Sequence, residues 1–317
     1  MRVLLIGASG QVGGALAAAF AGPNELLASA YQHPRAGQVL LDLSDQAAAT
    51  ALLERWRPDV VLLAAAMCHV DRCEQEPDAC RQINVLGPIA VAEYARRHGV
   101  SLVFFSTDHV FDGAQASYRE SDEVHPLSVY ARSKAEAEAA IRDLIPTQHL
   151  IIRTNFYGWS SGRKRTFAER IYGSLERRVP IRLLTDVWFT PMYVVDLAHR
   201  LEQLIETGAR GLIHVAGHDR MSKYEFGLLL ARTAGFPTDL ITPGDLAEGG
   251  LKTPRPKDMS LASLRCESLI GLRPPGCAEG LRRFLRDRER PLSHRADTSE
   301  QMLLDAMPAA PGAEAAR

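Results

Sequence analysis

The sequence predicts an α/β fold: a doubly wound parallel sheet of the Rossmann type, followed by a smaller C-terminal α/β domain. Three observations carry this. Short apolar, β-branched runs alternate with stretches of helical periodicity, the pattern of βαβ units. The run Asp59 to Ala66 is almost continuously apolar, as in a parallel strand covered on both faces. The first run passes directly into Gly7-Ala8-Ser9-Gly10-Gln11-Val12-Gly13, a glycine-bearing turn before a helix. The bulk properties agree. A chain of 317 residues suits one large or two modest domains, and 46% apolar with 24% charged residues is ordinary for a globular protein. A net charge of −1 gives no global field for nucleic acid or a membrane surface. No apolar run reaches the ~18 residues of a membrane span. Gly7, Gly10, Gly13 and Gly14 interrupt the apolar N-terminus and disfavour a secretory leader, so a cytoplasmic protein is expected. The odd count of 5 Cys suits reduced thiols, and Cys68, Cys73 and Cys80 form only a loose cluster that reads as small apolar residues, so no metal is expected.

Taken in order, Arg2 to Ile6 reads as a buried strand, and Val12, Leu16, Ala19 and Phe20 recur at helical spacing. Missing Cβ atoms let backbone approach a pyrophosphate, and a helix N-terminus offers free N–H groups and a positive dipole. Gly7, Ser9, Gly10, Gln11, Val12 and Gly13 are therefore candidate cofactor ligands. The spacing is Gly-x-x-Gly-x-x-Gly rather than Gly-x-Gly-x-x-Gly, and a tight structural turn would look similar. Leu26 to Tyr31 is the next strand. Tyr31-Gln32-His33-Pro34-Arg35 after it holds no acid for a ribose 2′-hydroxyl, while Arg35 suits a 2′-phosphate. NADPH is the expected cofactor, with NADH left open. Val39 to Leu43 reads as a third strand with Asp42 at its end, and Gln46 to Arg55 as a helix. After the fourth strand, Asn84 to His98 reads as one helix stopped by Gly99. Val100 to Phe105 is the fifth strand. It ends in Ser106-Thr107-Asp108-His109, at a carboxyl edge where open α/β sheets bind ligands. The Thr107 hydroxyl there either polarises a carbonyl or caps a turn.

Leu150 to Arg153 is the sixth strand. Beyond it, Phe167 to Arg177, Ser222 to Thr233 and Ala278 to Arg288 read as helices, and the second opens on a Ser222/Glu225 capping box. Pro180 to Leu184 and Gly211 to Ala216 read as strands, and Thr190 to Asp196 leads into a helix ending near Glu206. Arg163-Lys164-Arg165 and Arg255 are basic groups that suit a diphosphate, or a solvated loop. Asp112, Glu120 and Asp122 form either an acidic cluster or ordinary loop carboxylates. Residues 291–317, rich in Ala, Pro and charge, read as a disordered tail.

Tyr130-Ala131-Arg132-Ser133-Lys134 holds the remaining chemistry. A four-residue spacing puts Tyr130 and Lys134 on one helix face. A phenol is a weak acid, and an ammonium beside it is expected to lower its pKa. The pair is then a candidate proton donor and acceptor for a hydroxyl/carbonyl interconversion.

Together, Gly7-x-x-Gly10-x-x-Gly13, Ser106-Thr107-Asp108-x-Val110-Phe111-Asp112-Gly113 and Tyr130-x-x-x-Lys134 resemble the extended short-chain dehydrogenase/reductases. The finer resemblance is to the dTDP-4-dehydrorhamnose reductases and their sugar nucleotide-binding relatives. It rests on Ala64-Ala65-Ala66, Val70-Asp71-x-x-Glu74-x-Glu76-Pro77, Ile83-Asn84-Val85-Leu86-Gly87-Pro88, Arg153-Thr154, Tyr193-Val194-Val195-Asp196-Leu197-Ala198 and Arg255-Pro256-Lys257-Asp258, and it covers about residues 1–290. The resemblance implies reduction of a 4-keto group on a nucleotide-linked deoxysugar. Tyr130 would give the proton, Lys134 would lower its pKa and hold the nicotinamide ribose, and Thr107 would polarise the carbonyl. Asp42, Leu43, Ala64, Ala65 and Ala66 would join the cofactor site. Asp108, His109, Val110, Asn155, Phe156 and Arg255 would face the substrate. The first domain would span 1–155 and receive about 186–216, and 156–185 with 217–290 would form the substrate domain. The expected partner is a small nucleotide sugar, with no nucleic acid or membrane, and a homodimer is left open. Relatives usually carry Tyr at the place of His109 and Arg-Thr-Ser-Trp where this chain has Arg153-Thr154-Asn155-Phe156, so the sugar stays open. An epimerase or dehydratase on the same fold is the second enzyme reading. Dehydratases carry Thr-Asp-Glu, and His109 in place of the Glu counts against water loss. A regulatory binding subunit, as in methionine adenosyltransferase, is the competing class, and the complete Thr107/Tyr130/Lys134 set argues against it.

Overall fold

The computed structural model describes residues 1–22, 24–32, 34–160, 165–249 and 253–289. The tail 291–317, along with His33, Arg163 and Lys164, lies outside the described residues. In chain order the first half runs β1 (Arg2–Ile6), α1 (Gln11–Phe20), β2 (Glu25–Ala30), β3 (Gln38–Leu40), α2 (Gln46–Trp56), β4 (Val60–Leu63), α3 (Val70–Gln75), α4 (Pro77–Arg81), α5 (Gly87–His98), β5 (Ser101–Phe105), α6 (Val129–Leu144) and β6 (His149–Arg153). The second half runs β7 (Phe156–Tyr157), α7 (Phe167–Glu176), β8 (Ile181–Leu184), β9 (Trp188–Phe189), β10 (Met192–Tyr193), α8 (Val194–Glu206), β11 (Gly211–His214), β12 (Met221–Ser222), α9 (Lys223–Ala234), β13 (Ile241–Gly244), α10 (Leu264–Ile270) and α11 (Cys277–Arg286).

Seven strands form one parallel sheet in the order β11-β6-β5-β4-β1-β2-β3. Side chains alternate across a strand, so each strand feeds two cores. Val3, Leu5, Val60, Leu62, Val103 and Ile152 face one side, where α1 and α8 pack. Leu4, Ile6, Val61, Leu63, Leu102 and Ile151 face the other, with α2, α5 and α6. The strand order reverses between β1 and β4, and there the carboxyl ends open a crevice of the kind that takes dinucleotides. The first core continues through Tyr157, Phe226 and Phe284 into the later segments, whose short strands pair as β7–β10, β9–β12 and β8–β13. The Ser222/Glu225 capping box is present, and Gly235 closes that helix in a left-handed turn.

Two sequence expectations fail locally. The third strand stops at Leu40 rather than Leu43, because Asp42 Oδ1 accepts from both the backbone N–H and the hydroxyl of Ser44, at 2.9 and 2.7 Å, and turns the chain. The single helix expected over 84–98 is split. Gln82–Leu86 forms a π-helical turn, and α5 begins only at Gly87 with Pro88 in its first turn. Proline has no N–H for the preceding turn. The widened turn buries Asn84, which bonds both Met67 backbone groups (2.8 and 3.1 Å) and the Ser133 hydroxyl (3.0 Å). One residue from outside α6 thereby fixes the inner face of that helix.

Candidate active site

The crevice begins at the turn after β1. Gly7 takes φ +103°, and its N–H and that of Ala8 donate to Ser29 O of β2. A Cβ on Gly7 would lie 2.6 Å from Ala65 N, so the Ala64–Ala66 segment after β4 runs flush against the turn. A Cβ on Gly13 would lie 2.1 Å from Gly7 O. Gly10 caps α1 without a side chain, which leaves the first helical N–H groups open to an anion. Beside them Gln11 Nε2 is buried with no hydrogen-bond partner. Ser9 and Val12 complete the same turn. Arg35 follows β2, half-buried, with its N–H on Gln38 Oε1 at 3.1 Å. Asp42 is committed to the Ser44 turn, and Leu43 packs beneath Gly87. We expect Gly13→Ala to destabilise the fold by about 1–3 kcal/mol, because the obstructing atoms are backbone. Thermal unfolding would show the loss, and a variant as stable as the parent would mean the turn opens freely.

The second wall is the chain after β5. Thr107 caps a short 3₁₀ turn over Asp108–Val110: its hydroxyl accepts from His109 N at 3.2 Å and lies 3.1 Å from Asp108 Oδ1. The capping and site readings of Thr107 are thus compatible. Val110 is buried in a small cluster with Phe111 and Tyr118. Ser128 caps α6 by accepting from Ala131 N, which sets Tyr130 and Lys134 on the first two turns. The Tyr130 ring meets the His109 ring edge-on at 6.0 Å. Burial pushes the Tyr130 phenol well above its ordinary pKa, and its hydrogen bond with Thr107 only partly opposes this. The net shift is thus opposite to the lowering expected from Lys134. The Lys134 ammonium sits 3.8 Å from the Phe104 ring centroid, and burial lowers its own pKa to about 8. Desolvation penalises both charged forms and is the largest cause of each shift.

Asn155 joins this group, since its amide donates to Asp108 Oδ2 (3.0 Å) and Met259 O (3.3 Å). Phe156 takes no part in that hydrogen-bonded group and is 37% exposed. Arg255 bonds Asp71 at 2.9 Å across 184 residues, tying the late segment to α3. That bond draws the Asp71 carboxyl below its usual pKa. Burial holds His109 below its ordinary value; Asp108 opposes this, while Lys223 and Arg255 reinforce it. Of the loop carboxylates, Asp112 accepts from the Tyr118 hydroxyl, Asp122 from Arg119 N and Glu120 from His214 N, so all three brace loops. All five cysteines are free thiols.

Three features escaped the sequence reading. Ser106, Glu138 and Arg153 form a buried network between β5, α6 and β6. Lys223, the first residue of α9, reaches the electrostatic surroundings of Asp108 and His109. A cavity of 440 Å³ opens between α7 and β8 with Lys223 in its wall. None has a motif, because each joins segments far apart in sequence.

Residues 1–290 match the RmlD substrate binding domain family. The chain is 32% identical over 288 residues to the spore coat polysaccharide biosynthesis protein SpsK of Bacillus subtilis, covering 90% of this chain and 98% of that protein. It is 32% identical over 239 residues to dTDP-4-dehydrorhamnose reductase of Aggregatibacter actinomycetemcomitans, covering 72% and 78%. The structure is similar to that of dTDP-4-dehydrorhamnose reductase from Bacillus anthracis in complex with NADP, at a TM-score of 0.82 and 28% identity, over 90% of this chain and 99% of that one.

Proposed function

The chain belongs to the RmlD substrate-binding domain family, and on that premise we propose that it uses NADPH to reduce the 4-keto group of a nucleotide-linked 4-keto-6-deoxy sugar. The observation that carries this reading is the protonated Tyr130 hydroxyl held against Thr107 at the carboxyl edge of the sheet, with Lys134 one turn on. NADPH, when bound, supplies a hydride to the carbonyl carbon. The remaining work falls to this chain. Reduction needs an acid, and a phenol with a raised pKa is fully protonated at neutral pH. Tyr130 gives that proton to the developing alkoxide, and the Thr107 hydroxyl bonds the same oxygen, so donors are set in advance where charge appears. Lys134 stabilises the phenolate left behind. Asn155 and the 3₁₀ turn hold Asp108 and His109 along the sugar. His109 stands where dehydration would require a second acid, which favours reduction over water loss.

The cofactor fits the residues present. Gly7 and Gly13 leave no room for a Cβ and so keep the turn tight, the α1 N-terminus carries no side-chain cap, and the buried Gln11 amide is unpaired. We assign Gly7, Ser9, Gly10, Gln11, Val12 and Gly13 to the pyrophosphate, Ala64–Ala66 to the nicotinamide side, Asp42 and Leu43 to the adenosine, and Arg35 to the 2′-phosphate. Residues 1–155 with 186–216 form the cofactor unit, and 156–185 with 217–290 the substrate unit. The free thiols fit a cytoplasmic enzyme. Among the described residues no helix is long and apolar enough to cross a membrane.

The test is oxidation of NADPH and NADH with enzymatically generated dTDP-4-keto-6-deoxy sugar. Turnover supports the reading, and a pure protein that binds NADPH yet reduces no keto-sugar would sink it. Arg35→Ala should weaken NADPH binding about tenfold or more, the loss of a charged hydrogen bond, while NADH binding stays within a factor of two or so. Equal weakening of both cofactors would remove the 2′-phosphate assignment.

A further inference from the structure

The 440 Å³ cavity carries charge that the proton chemistry does not use. Its floor is apolar, with Phe167 and Ile171 of α7 and Leu183 of β8. Arg165, Arg170 and Arg177 also line it, and none of the three forms an ion pair among the described residues. Arg182, on the same wall, is neutralised by Glu248. Lys223 also lines this cavity, and it feels the charge of Asp108 in the turn after β5. Its N–H donates to Val187 O at 2.9 Å, which fixes the start of α9. Its ammonium lies 3.2 Å from the Phe189 ring centroid and 4.8 Å from that of Phe167, so two aromatic faces aim it. Asp108 acts on it electrostatically without forming an ion pair.

We propose that Lys223 is a positioning residue for the phosphates of the substrate: the nucleoside lies on the apolar floor between α7 and β8, and the diphosphate crosses Lys223 on its way to the Thr107–Tyr130 pair. This rests on the nucleotide-sugar reading above and adds the residue that selects for the diphosphate. A cavity with an apolar floor and unpaired cations fits a flat base joined to an anion, and the position of Lys223 sets the distance from that anion to the reacting carbonyl. The ammonium is partly stripped of water between its rings, so it gains from an anionic ligand more than a solvated lysine would.

The same geometry gives a signature that a merely structural lysine would lack. Burial lowers the free Lys223 pKa to about 7, against the pull of Asp108. The other charged groups facing this region are His109 beside Asp108, the three arginines, the Arg182–Glu248 pair and Arg255. A bound diphosphate favours the ammonium, so binding at pH 8 takes up a proton at Lys223. The experiment is calorimetric titration of the full chain with thymidine diphosphate and uridine diphosphate, at pH 8, in two buffers of different ionisation heat. The parent should bind at least one of them with net proton uptake. Lys223→Met should weaken that binding about tenfold or more and abolish the uptake. Lys223→Arg should keep most of the affinity without uptake, since a guanidinium does not titrate. With keto-sugar, Lys223→Met should raise KM and leave kcat within a few-fold. Unchanged affinity and uptake in Lys223→Met, or no diphosphate binding by the parent, overturns the proposal. Diphosphate binding with the expected uptake but no keto-sugar reduction leaves it standing and removes the reductase reading instead.

Discussion

Tyr130→Phe is expected to lower keto-sugar turnover by about 10²–10⁴-fold, the range for loss of a general acid, while NADPH binds as before. The substitution removes one oxygen and keeps the ring. That ring packs with Met67, Cys73 and Cys80, which a phenylalanine fills equally well. Its backbone is fixed independently. Ser128 caps the helix, the Ser133 hydroxyl donates to Tyr130 O at 2.7 Å, and Asn84 holds Ser133. Thr107 loses a partner, yet it stays in place through its bonds with His109 N and Asp108. The loss should therefore appear in kcat, with unfolding temperature and NADPH affinity close to the parent. The direction of proton flow sharpens the test. Burial raises the phenol, so Tyr130 holds its proton at neutral pH and needs no prior proton uptake to act as an acid. A Tyr130→Phe enzyme with full turnover would mean that a different group, with His109 the nearest alternative, delivers the proton.

The sequence disclosed those parts of the site that lie within single segments. Gly7, Gly10 and Gly13 share one turn, Tyr130 and Lys134 share one helix face, and Ser222 and Glu225 share one cap, so spacing alone is informative. Thr107 was legible because it directly follows a strand, and strand ends are where such sheets bind ligands. What stayed hidden depends on contacts between distant segments. Arg255 meets Asp71, Asn155 meets Asp108, and Lys223 at the start of α9 feels the charge of the same carboxylate. Nothing near Lys223 in sequence distinguishes it from a solvated helix-start lysine, because its aromatic cage comes from Phe167 and Phe189. The phenol pKa was misjudged for a related reason. Spacing supplies the partner Lys134, but only the fold supplies the burial that raises the phenol. The strand over Val39–Leu43 shows the opposite limit, where one Asx turn at Asp42 overrode a favourable β pattern.

Arg153→Met should cost about 3–5 kcal/mol of stability, the typical penalty for leaving one buried charge without its partner. Arg153 and Glu138 are each 2% exposed, joined at 2.6 Å between Nη2 and Oε2, and Nε adds a second bond at 3.0 Å. Ser106 donates to the same carboxylate, and the guanidinium also faces the Phe111 ring at 5.0 Å. Glu138 lies one turn beyond Lys134 on α6, Ser106 precedes Thr107, and Arg153 precedes Thr154 and Asn155. One carboxylate thus ties together the three segments that carry Tyr130, Thr107 and Asn155. That placement predicts more than lost stability. In Arg153→Met/Glu138→Leu both charges are gone, so much of the lost stability should return, as it does when a buried pair is replaced by packed apolar groups. Turnover should not return with it, because Ser106 and α6 would no longer share an anchor. Denaturant unfolding and kcat, measured on the two single variants and the double, separate these effects. A double variant that recovers both stability and turnover would make the pair a device of the fold alone. Recovery of stability without turnover would place it in the positioning of Thr107 against Tyr130.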